Sequence, residues 1–193
     1  MDSYFDWILQ NPGLNHLTIK IFGLLDLKSF DNCLIVSKYW YQFIKENRNL
    51  WKVLSQKFPM HDACYSGYVN IVKLFIELNE DINARDARGS TPLVLACWGN
   101  QLKVVKLLCK QSKINVNAKV NYIAGKTTLH YACEHGQFNI VKLLLDQPSI
   151  KFQILDNFGR APIDLAKSKG HQNIVDYFNL FDVKLKFNGL SVK

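Results

Sequence analysis

One short pattern recurs four times along this chain and strongly limits its fold. Each copy is marked by an alanine, in Ala63-Cys64, Ala96-Cys97, Ala132-Cys133 and the looser Ala166-Lys167, and the steps between the alanines are 33, 36 and 34 residues. A regular period of this size is typical of repeat proteins, in which each unit buries its apolar face against its neighbours. The repeat period therefore predicts that the chain folds as a solenoid.

The clearest copy runs from Lys126 to Asp146, KTTLHYACEHGQFNIVKLLLD. Its start, Thr127-Thr128-Leu129-His130, resembles the Thr-Pro-Leu-His motif of ankyrin repeats. The resemblance implies helix-turn-helix units with short hairpin fingers. We place four of them at 59–85, 86–119, 120–155 and 156–179.

The turns inside and between these units carry suitable residues. Gly67, Gly136 and Gly170 stand between the two helices of a unit, where a positive φ is needed, and Asn100 takes that place in the second unit. Hairpin tips are predicted at 86–89 and 156–159, each beginning with aspartate and ending with glycine.

Two segments depart from the repeat. Lys113 to Gly125 holds extra residues, which predicts a longer finger with Tyr122 and Ile123 near its tip. The segment 180–193 is interpreted as a separate tail, since Val183, Leu185 and Phe187 alternate before the hairpin signal Asn188-Gly189. We expect this tail to cover the last repeat or to bind a partner.

The part before the repeats divides into a lead helix at 1–13 and a helical unit at 14–58 that includes the junction. Leu17, Ile21, Leu24 and Leu25 form an apolar stripe at helical spacing. Asp26 and Ser29 then predict a break and a helix cap. The junction at 55–58 is short, so we expect the two parts to be rigidly coupled.

This unit resembles an F-box. The resemblance rests on Ile21-Phe22 with Leu25-Asp26-Leu27, on Val36-Ser37-Lys38 with Trp40, and on Leu50-Trp51, although Gly13-Leu14 replaces the family's usual Leu-Pro start. It implies binding to the Skp-type adaptor of a cullin-RING ubiquitin ligase. The residues expected to contact the adaptor are Leu14, Leu17, Ile21, Leu25, Val36, Trp40 and Trp51.

The expected fold class is thus all-α, with a three-helix F-box-like domain followed by an ankyrin-repeat solenoid. An alternative is that the N-terminal helices only cap the solenoid, because a terminal repeat needs its apolar flank covered. We favour the F-box because a unit of about forty residues is too small to bury all its tryptophans and leucines. Some of that apolar surface should then seek a partner.

The chain lacks the residue groupings that catalysis needs. No phosphate-binding Gly-rich loop and no Ser/His/Asp grouping is present, so we expect a protein that is not an enzyme and has no cofactor. Cys64, Cys97 and Cys133 share one repeat position and are predicted to be small buried fillers rather than metal ligands. His61 and His130 should bond neighbouring backbone.

The function expected from the two modules together is substrate recognition for a ubiquitin ligase, with an unknown target protein on the repeats. Its alternative is a non-degradative protein-binding scaffold or inhibitor. Aromatic and arginine side chains commonly dominate interfaces. The side chains left free by the packing pattern, and hence predicted to bind the target, are Tyr65, Arg85, Arg88, Trp98, Tyr122, Glu134, His135, Phe158 and Arg160.

The net charge of +8 suggests nucleic-acid binding as a third and weaker possibility. Lysines interleaved with acids and amides favour a solvated basic surface instead. Apolar runs are too short for a membrane-spanning helix, and the acidic start lacks the basic lead of a secretory signal. We therefore expect an intracellular protein, cytoplasmic or nuclear, without a membrane partner.

Overall fold

A computed structural model describes residues 24–36, 38–57, 59–120 and 124–187. The lead helix at 1–13 lies outside these residues. Within the described ranges the chain forms helices and turns, with one isolated antiparallel bridge between Lys119 and Thr127. The helices are α1 (Leu27–Val36), α2 (Lys38–Glu46), α3 (Arg48–Lys57), α4 (Met60–Ser66), α5 (Val69–Glu77), α6 (Pro92–Trp98), α7 (Leu102–Cys109), α8 (Thr128–Glu134), α9 (Phe138–Leu145), α10 (Pro162–Ser168) and α11 (Gln172–Phe187).

Helices α4 to α11 form four antiparallel pairs that stack in order. The inner helices α4, α6, α8 and α10 contact one another in sequence, and the outer helices α5, α7, α9 and α11 form a second layer. The expected all-α solenoid is confirmed. The register alanines Ala63, Ala96, Ala132 and Ala166 are all fully buried, because close packing of adjacent inner helices leaves room only for small side chains.

The turns between paired helices have the predicted backbone conformation. Gly67 has φ 84° and its N–H donates to the Ala63 carbonyl oxygen at 2.9 Å, which ends α4. Asn100 has φ 54° at the corresponding place in the second repeat. An amide side chain is among the few that tolerate this left-handed region, so the substitution preserves the turn.

The fingers between repeats are short hairpins whose tips are closed as predicted. The Asp86 N–H donates to the Ser90 carbonyl oxygen at 3.0 Å, and Asp156 donates to Arg160 in the same way at 2.9 Å. In the longer finger, the Val120 N–H donates to the Lys126 carbonyl oxygen at 2.9 Å. Its predicted tip residues, Tyr122 and Ile123, lie outside the described residues.

Asparagine side chains join the loops that lead from each outer helix to the next finger. The Asn83 amide donates to the Lys113 carbonyl oxygen at 2.8 Å and accepts from the Asn115 N–H at 2.8 Å. Asn117 repeats this arrangement with Ser149 and Lys151, at 2.7 Å and 2.8 Å. These paired bonds fix the spacing between the loops of successive repeats.

Helices α1 to α3 pack against the outer helix of the first repeat. The Asp31 carboxylate accepts hydrogen bonds from the N–H groups of Asn70 and Ile71, at 2.9 Å and 3.1 Å, and so caps the start of α5. The Lys45 ammonium lies 2.7 Å from the Glu77 carboxylate. This hydrogen bond holds the pKa of Glu77 below its ordinary value.

The apolar surface of this unit is largely covered by the first repeat. Trp51 is 1% exposed, and Phe30, Ile44 and Leu54 are at least as fully buried in the same core. The unit was expected to be too small to bury its own tryptophans and leucines, and for Trp51 it is the first repeat that supplies the missing side of this small core. The predicted cap at Asp26 is confirmed, since its carboxylate accepts from the Ser29 N–H at 2.7 Å.

The end of the solenoid differs from the sequence prediction. Helix α11 continues to Phe187, so the strand-like interpretation of the tail is wrong up to that residue. Val183 and Phe187 are four residues apart, which also fits a helix. Contacts from Phe152 to Phe178 and Phe181, with ring centroids 6.5 Å and 5.5 Å apart, hold the extended helix against the third repeat.

Candidate functional site

A groove of about 430 Å³ opens between the inner helices of the first two repeats and the finger that joins them. Helix α4 contributes Asp62 and Tyr65, α6 contributes Leu95 and Trp98, and the finger contributes Asp86 and Arg88. Tyr65 is 51% exposed and Trp98 is 44% exposed. The groove therefore presents two large aromatic surfaces to solvent, between charged side chains.

The close approach of the ends of α4 and α6 depends on Gly99. A Cβ atom at this position would overlap the carbonyl oxygen of Tyr65. The glycine has an ordinary φ of −74°, so it is needed here for space rather than for backbone conformation. Its small size lets the ends of α4 and α6 lie together, which places Tyr65 and Trp98 at the same lip of the groove.

The aromatic surface continues into the third repeat. The rings of Trp98 and Tyr131 stack with centroids 6.2 Å apart and an interplanar angle of 25°. The Lys126 ammonium lies 5.5 Å from the Tyr131 centroid and 2.6 Å from the Glu134 carboxylate. Tyr65, Trp98 and Tyr131 thus form an aromatic strip across three inner helices, with Lys126 and Glu134 as an ion pair at its end.

The charged side chains of the groove differ in whether they already have hydrogen-bond partners within the protein. One oxygen of Asp86 accepts from the N–H groups of Arg88 and Ser90, at 2.9 Å and 2.7 Å. Within the described residues, the side chains of Asp62 and Arg88 make no hydrogen bond or ion pair. A carboxylate on the inner helix and a guanidinium on the finger are therefore both available to a ligand.

The predicted target-binding residues fall into separate groups. Tyr65, Arg88 and Trp98 lie together around the groove, and Glu134 lies at the end of the aromatic strip. His135 is at the end of α8, where its Nδ1 is 2.9 Å from the Tyr131 carbonyl oxygen. Tyr122 lies outside the described residues.

Arg85 has a bracing position within the fold. Its Nη1 donates to the carbonyl oxygens of Gly89 and Lys119, at 2.6 Å and 2.8 Å. These acceptors belong to consecutive fingers, so the guanidinium fixes one finger against the next. Arg85 consequently supports the groove by positioning the finger that carries Arg88.

The last finger forms a compact cluster of its own. Phe158 is 62% exposed, and the Arg160 guanidinium lies 4.9 Å from its ring centroid. The same guanidinium is 2.8 Å from the Asp156 carboxylate. Burial favours a higher pKa for Asp156, but hydrogen bonds from Arg160 and from the Phe158 N–H hold this pKa below its ordinary value.

The structure adds residues that sequence reasoning did not select. Asp62, Leu95 and Tyr131 occupy the position before the register alanine, and the same position in the last repeat is Leu165. The first three face the groove or the aromatic strip, while Leu165 is buried. Comparing this position across the repeats would have revealed the mixture of acid, aromatic and aliphatic side chains, but it would not have shown which are exposed.

The histidines of the repeat motif contact backbone carbonyl oxygens, and its cysteines are buried in the core. His61 Nε2 is 3.0 Å from the Ala84 carbonyl oxygen and His130 Nε2 is 3.0 Å from that of Arg160, which confirms the predicted backbone contacts. Cys64, Cys97 and Cys133 are fully buried, as predicted. The described residues contain no group of three or more His, Cys, Asp or Glu side chains suited to a metal ion.

The predicted adaptor-binding residues are only partly described. Leu14, Leu17 and Ile21 lie outside the described residues, and so do the side chains of Val36 and Trp40, which belong to α1 and α2. Leu25 is half-buried against the core. Trp51 is buried against the first repeat, where an adaptor could not reach its ring without displacing the helices.

No helix in the described part of the chain combines the length and apolar character needed to cross a bilayer.

Comparison with known proteins agrees with this architecture. A family model described as ankyrin repeats (three copies) matches residues 35–120 and 116–186. The chain is also 40% identical over 72 residues to the I-Kappa-B like protein G2 of Microplitis demolitor bracovirus, an alignment that covers 35% of this chain and 42% of the relative. The chain thus matches less than half of the length of that relative. Since the repeat model matches well over half of the chain, this protein belongs to the ankyrin-repeat family.

Proposed function

We propose that this protein is a non-enzymatic scaffold or inhibitor that captures a segment of a partner protein in the groove between its first two repeats. The observation that carries the proposal is the pair of exposed aromatic side chains, Tyr65 and Trp98, on adjacent inner helices. Tryptophan and tyrosine are enriched among residues that dominate binding energy. The unpaired Asp62 and Arg88 beside them would bind polar or charged groups of the partner segment.

Contacts within the protein hold the residues around the groove in place. Gly99 allows the two inner helices to approach closely, Arg85 braces the finger, and Tyr131 stacks against Trp98. A site that is already ordered loses little conformational entropy when it binds. This rigidity favours capture of a partner segment by a preformed surface.

In this proposal the N-terminal helices act as a cap. Asp31 seals the start of α5, and Trp51 packs into the flank of the first repeat. The repeat-model match begins at position 35, so it includes α2 and α3. The name of the relative, an I-Kappa-B like protein, also fits an inhibitor or scaffold better than a ubiquitin-ligase subunit.

The proposal is tested by capturing partners with matched variants. Immobilised wild-type protein, the double variant Tyr65→Ala/Trp98→Ala and the control Leu180→Ala would each be incubated with the same cell extract, and bound proteins would be quantified by mass spectrometry. Leu180 is a suitable control because it is 62% exposed on α11, outside the first two repeats. We expect a partner that is retained by the wild type and by Leu180→Ala but is lost from the double variant. Equal retention by all three would refute the groove as the binding site.

A ubiquitin-ligase role is the second candidate, and the F-box-like pattern from Ile21 to Trp51 favours it. If the cap proposal is correct, a purified Skp-type adaptor will not be retained by the full chain. Retention that is lost in Ile21→Asp or Trp40→Ala would instead establish the F-box function. Binding of a partner in the groove is compatible with either result, so this pull-down decides the role of the N-terminal helices separately.

A further inference from the structure

We infer that the groove recognises a basic side chain, lysine or arginine, on the partner segment. The side chain would lie along the exposed faces of Tyr65 and Trp98 and place its charge beside the Asp62 carboxylate. This inference rests on the proposed function of the same groove and specifies the chemistry of its ligand.

The charge of the groove is opposite to that of the chain as a whole. The protein carries a net charge of +8, whereas the groove contains the carboxylates of Asp62 and Asp86 against the single guanidinium of Arg88. A cleft with low-dielectric walls concentrates the field of the charges that line it. The groove therefore has a local excess of negative charge that favours a cation, although the chain as a whole is positive.

Aromatic rings elsewhere in the solenoid already hold cations from this chain. Lys126 lies 5.5 Å from the ring centroid of Tyr131, and Arg160 lies 4.9 Å from that of Phe158. Among the described residues, no cation occupies the corresponding place over Tyr65 or Trp98. Cation–π attraction is strongest with tryptophan, so these two rings are suited to a cation that the partner supplies.

The Asp62 carboxylate favours a basic side chain of the partner over an acidic or an apolar one. An acidic side chain would meet two carboxylates in the groove. An apolar side chain would displace water from Asp62 without giving it a new hydrogen-bond partner, which carries a free-energy penalty. A basic side chain satisfies both the rings and the carboxylate, while Arg88 at the finger can donate to a backbone carbonyl or an acidic group farther along the partner.

The test uses short peptides of defined sequence with the full chain. Acetylated, amidated Gly-Ser-Arg-Ser-Gly would be titrated into ¹⁵N-labelled protein, and the Trp98 indole N–H signal, assigned with Trp98→Phe, would be followed by NMR. The matched control peptide carries citrulline, which has nearly the same shape as arginine but no charge. We expect saturable shifts of the Trp98 signal and of amides around Tyr65, with affinity for the citrulline peptide at least about 5-fold weaker.

Charge variants of the protein complete the test. Asp62→Asn should weaken binding of the arginine peptide by about 5-fold, whereas Asp176→Asn, a change of the same charge on an exposed part of α11, should leave it unchanged. Equal affinity for the arginine and citrulline peptides would overturn the inference, as would shifts confined to residues outside the groove. An Asp62→Asn variant that binds as tightly as the wild type would also overturn it.

Failure of the inference differs from failure of the proposed function. If partner capture depends on Tyr65 and Trp98 but the arginine peptide shows no preference over citrulline, the groove binds a partner without recognising a basic side chain. If neither capture nor peptide binding depends on these rings, the proposed function of the groove fails as well.

Discussion

The indole ring of Trp51 meets the phenyl ring of Phe75 edge-on, with centroids 4.6 Å apart and an interplanar angle of 76°. Trp51 belongs to α3 and Phe75 to α5, so this contact joins the N-terminal helices to the first repeat. The indole N–H also donates to the Glu80 carboxylate at 3.1 Å. Edge-to-face geometry adds favourable electrostatics to the burial of both rings.

The first prediction concerns this contact. Trp51→Ala should lower the free energy of unfolding by about 3–5 kcal/mol, because it leaves a cavity where the cap meets the solenoid. Val53→Ala on the same helix, where Val53 is 45% exposed, should change it by less than about 0.5 kcal/mol. Urea unfolding followed by circular dichroism measures both. A loss below about 1 kcal/mol for Trp51→Ala would contradict the cap's seating on the first repeat.

The second prediction concerns the carboxylate that caps α5. Asp31 is 8% exposed and accepts two backbone hydrogen bonds, from Asn70 and Ile71. Asp31→Ala should therefore lower the free energy of unfolding by about 2 kcal/mol, since it leaves both donors without a partner. Asn32→Ala, at an exposed neighbouring position, is the control and should have little effect. Amide hydrogen exchange at Asn70 and Ile71 should accelerate only in the first variant.

The third prediction is a pH dependence that comes from His130. This imidazole is fully buried, and its Nε2 lies 3.0 Å from the Arg160 carbonyl oxygen while its Nδ1 accepts from the Thr127 N–H at 3.1 Å. A carbonyl can only accept and an amide can only donate, so the ring is neutral with its proton on Nε2. Burial lowers the pKa of His130 below 6.5, although the Arg160 carbonyl and Asp156 act in the opposite direction.

Because the folded pKa lies below the unfolded one, the unfolded state binds more protons near this range. The stability contributed by neutral His130 is fully present above pH 6.5 and is lost as pH falls through the folded pKa. Urea midpoints measured between pH 7.5 and pH 5, a span of about 2.5 units around the histidine pKa, should therefore decrease on acidification. His130→Asn should flatten this part of the profile, and exposed His135→Gln should preserve it. A profile unchanged by His130→Asn would contradict the assignment.

The fourth prediction concerns thiol reactivity. Burial raises the pKa of Cys64, Cys97 and Cys133 far above the ordinary value for cysteine. The thiolate is the reactive form, so these three should resist iodoacetamide in the native protein. Half-buried Cys33 and Cys109 should be alkylated first, the latter slowly because burial raises its pKa to about 11. Mass spectrometry of digested protein checks the order, and all five should react in urea. Early labelling of Cys97 would show that the inner-helix packing opens.

The structure of the N-terminal helices shows where sequence reasoning stops. Apolar spacing located the helical blocks, and Asp26 with Ser29 located the start of α1. The same spacing cannot say what covers an apolar face. Trp51 satisfies an F-box-like pattern and a packing role equally well in sequence, and only the position of Phe75 places its ring in the core.

The groove shows a similar limit. Tyr65, Arg88 and Trp98 were selected from the sequence because the packing pattern leaves them free, and the structure brings them together. Arg85 was selected for the same reason but braces two fingers, since its partners are carbonyl oxygens that no side-chain pattern reveals. Tyr131 was overlooked because its place in the aromatic strip comes from stacking against Trp98 of the preceding repeat, a contact that the sequence does not reveal.

The sequence by itself determined the repeat architecture, because its period, register alanines and turn residues such as Gly67 and Asn100 are local requirements of each unit. The tertiary structure decided which faces are covered and which remain open. It buried Trp51, extended α11 to Phe187 and left Trp98 exposed beside Tyr65. These outcomes depend on contacts between residues far apart in the chain, whose energies are set by the shape of the partner surface rather than by local sequence.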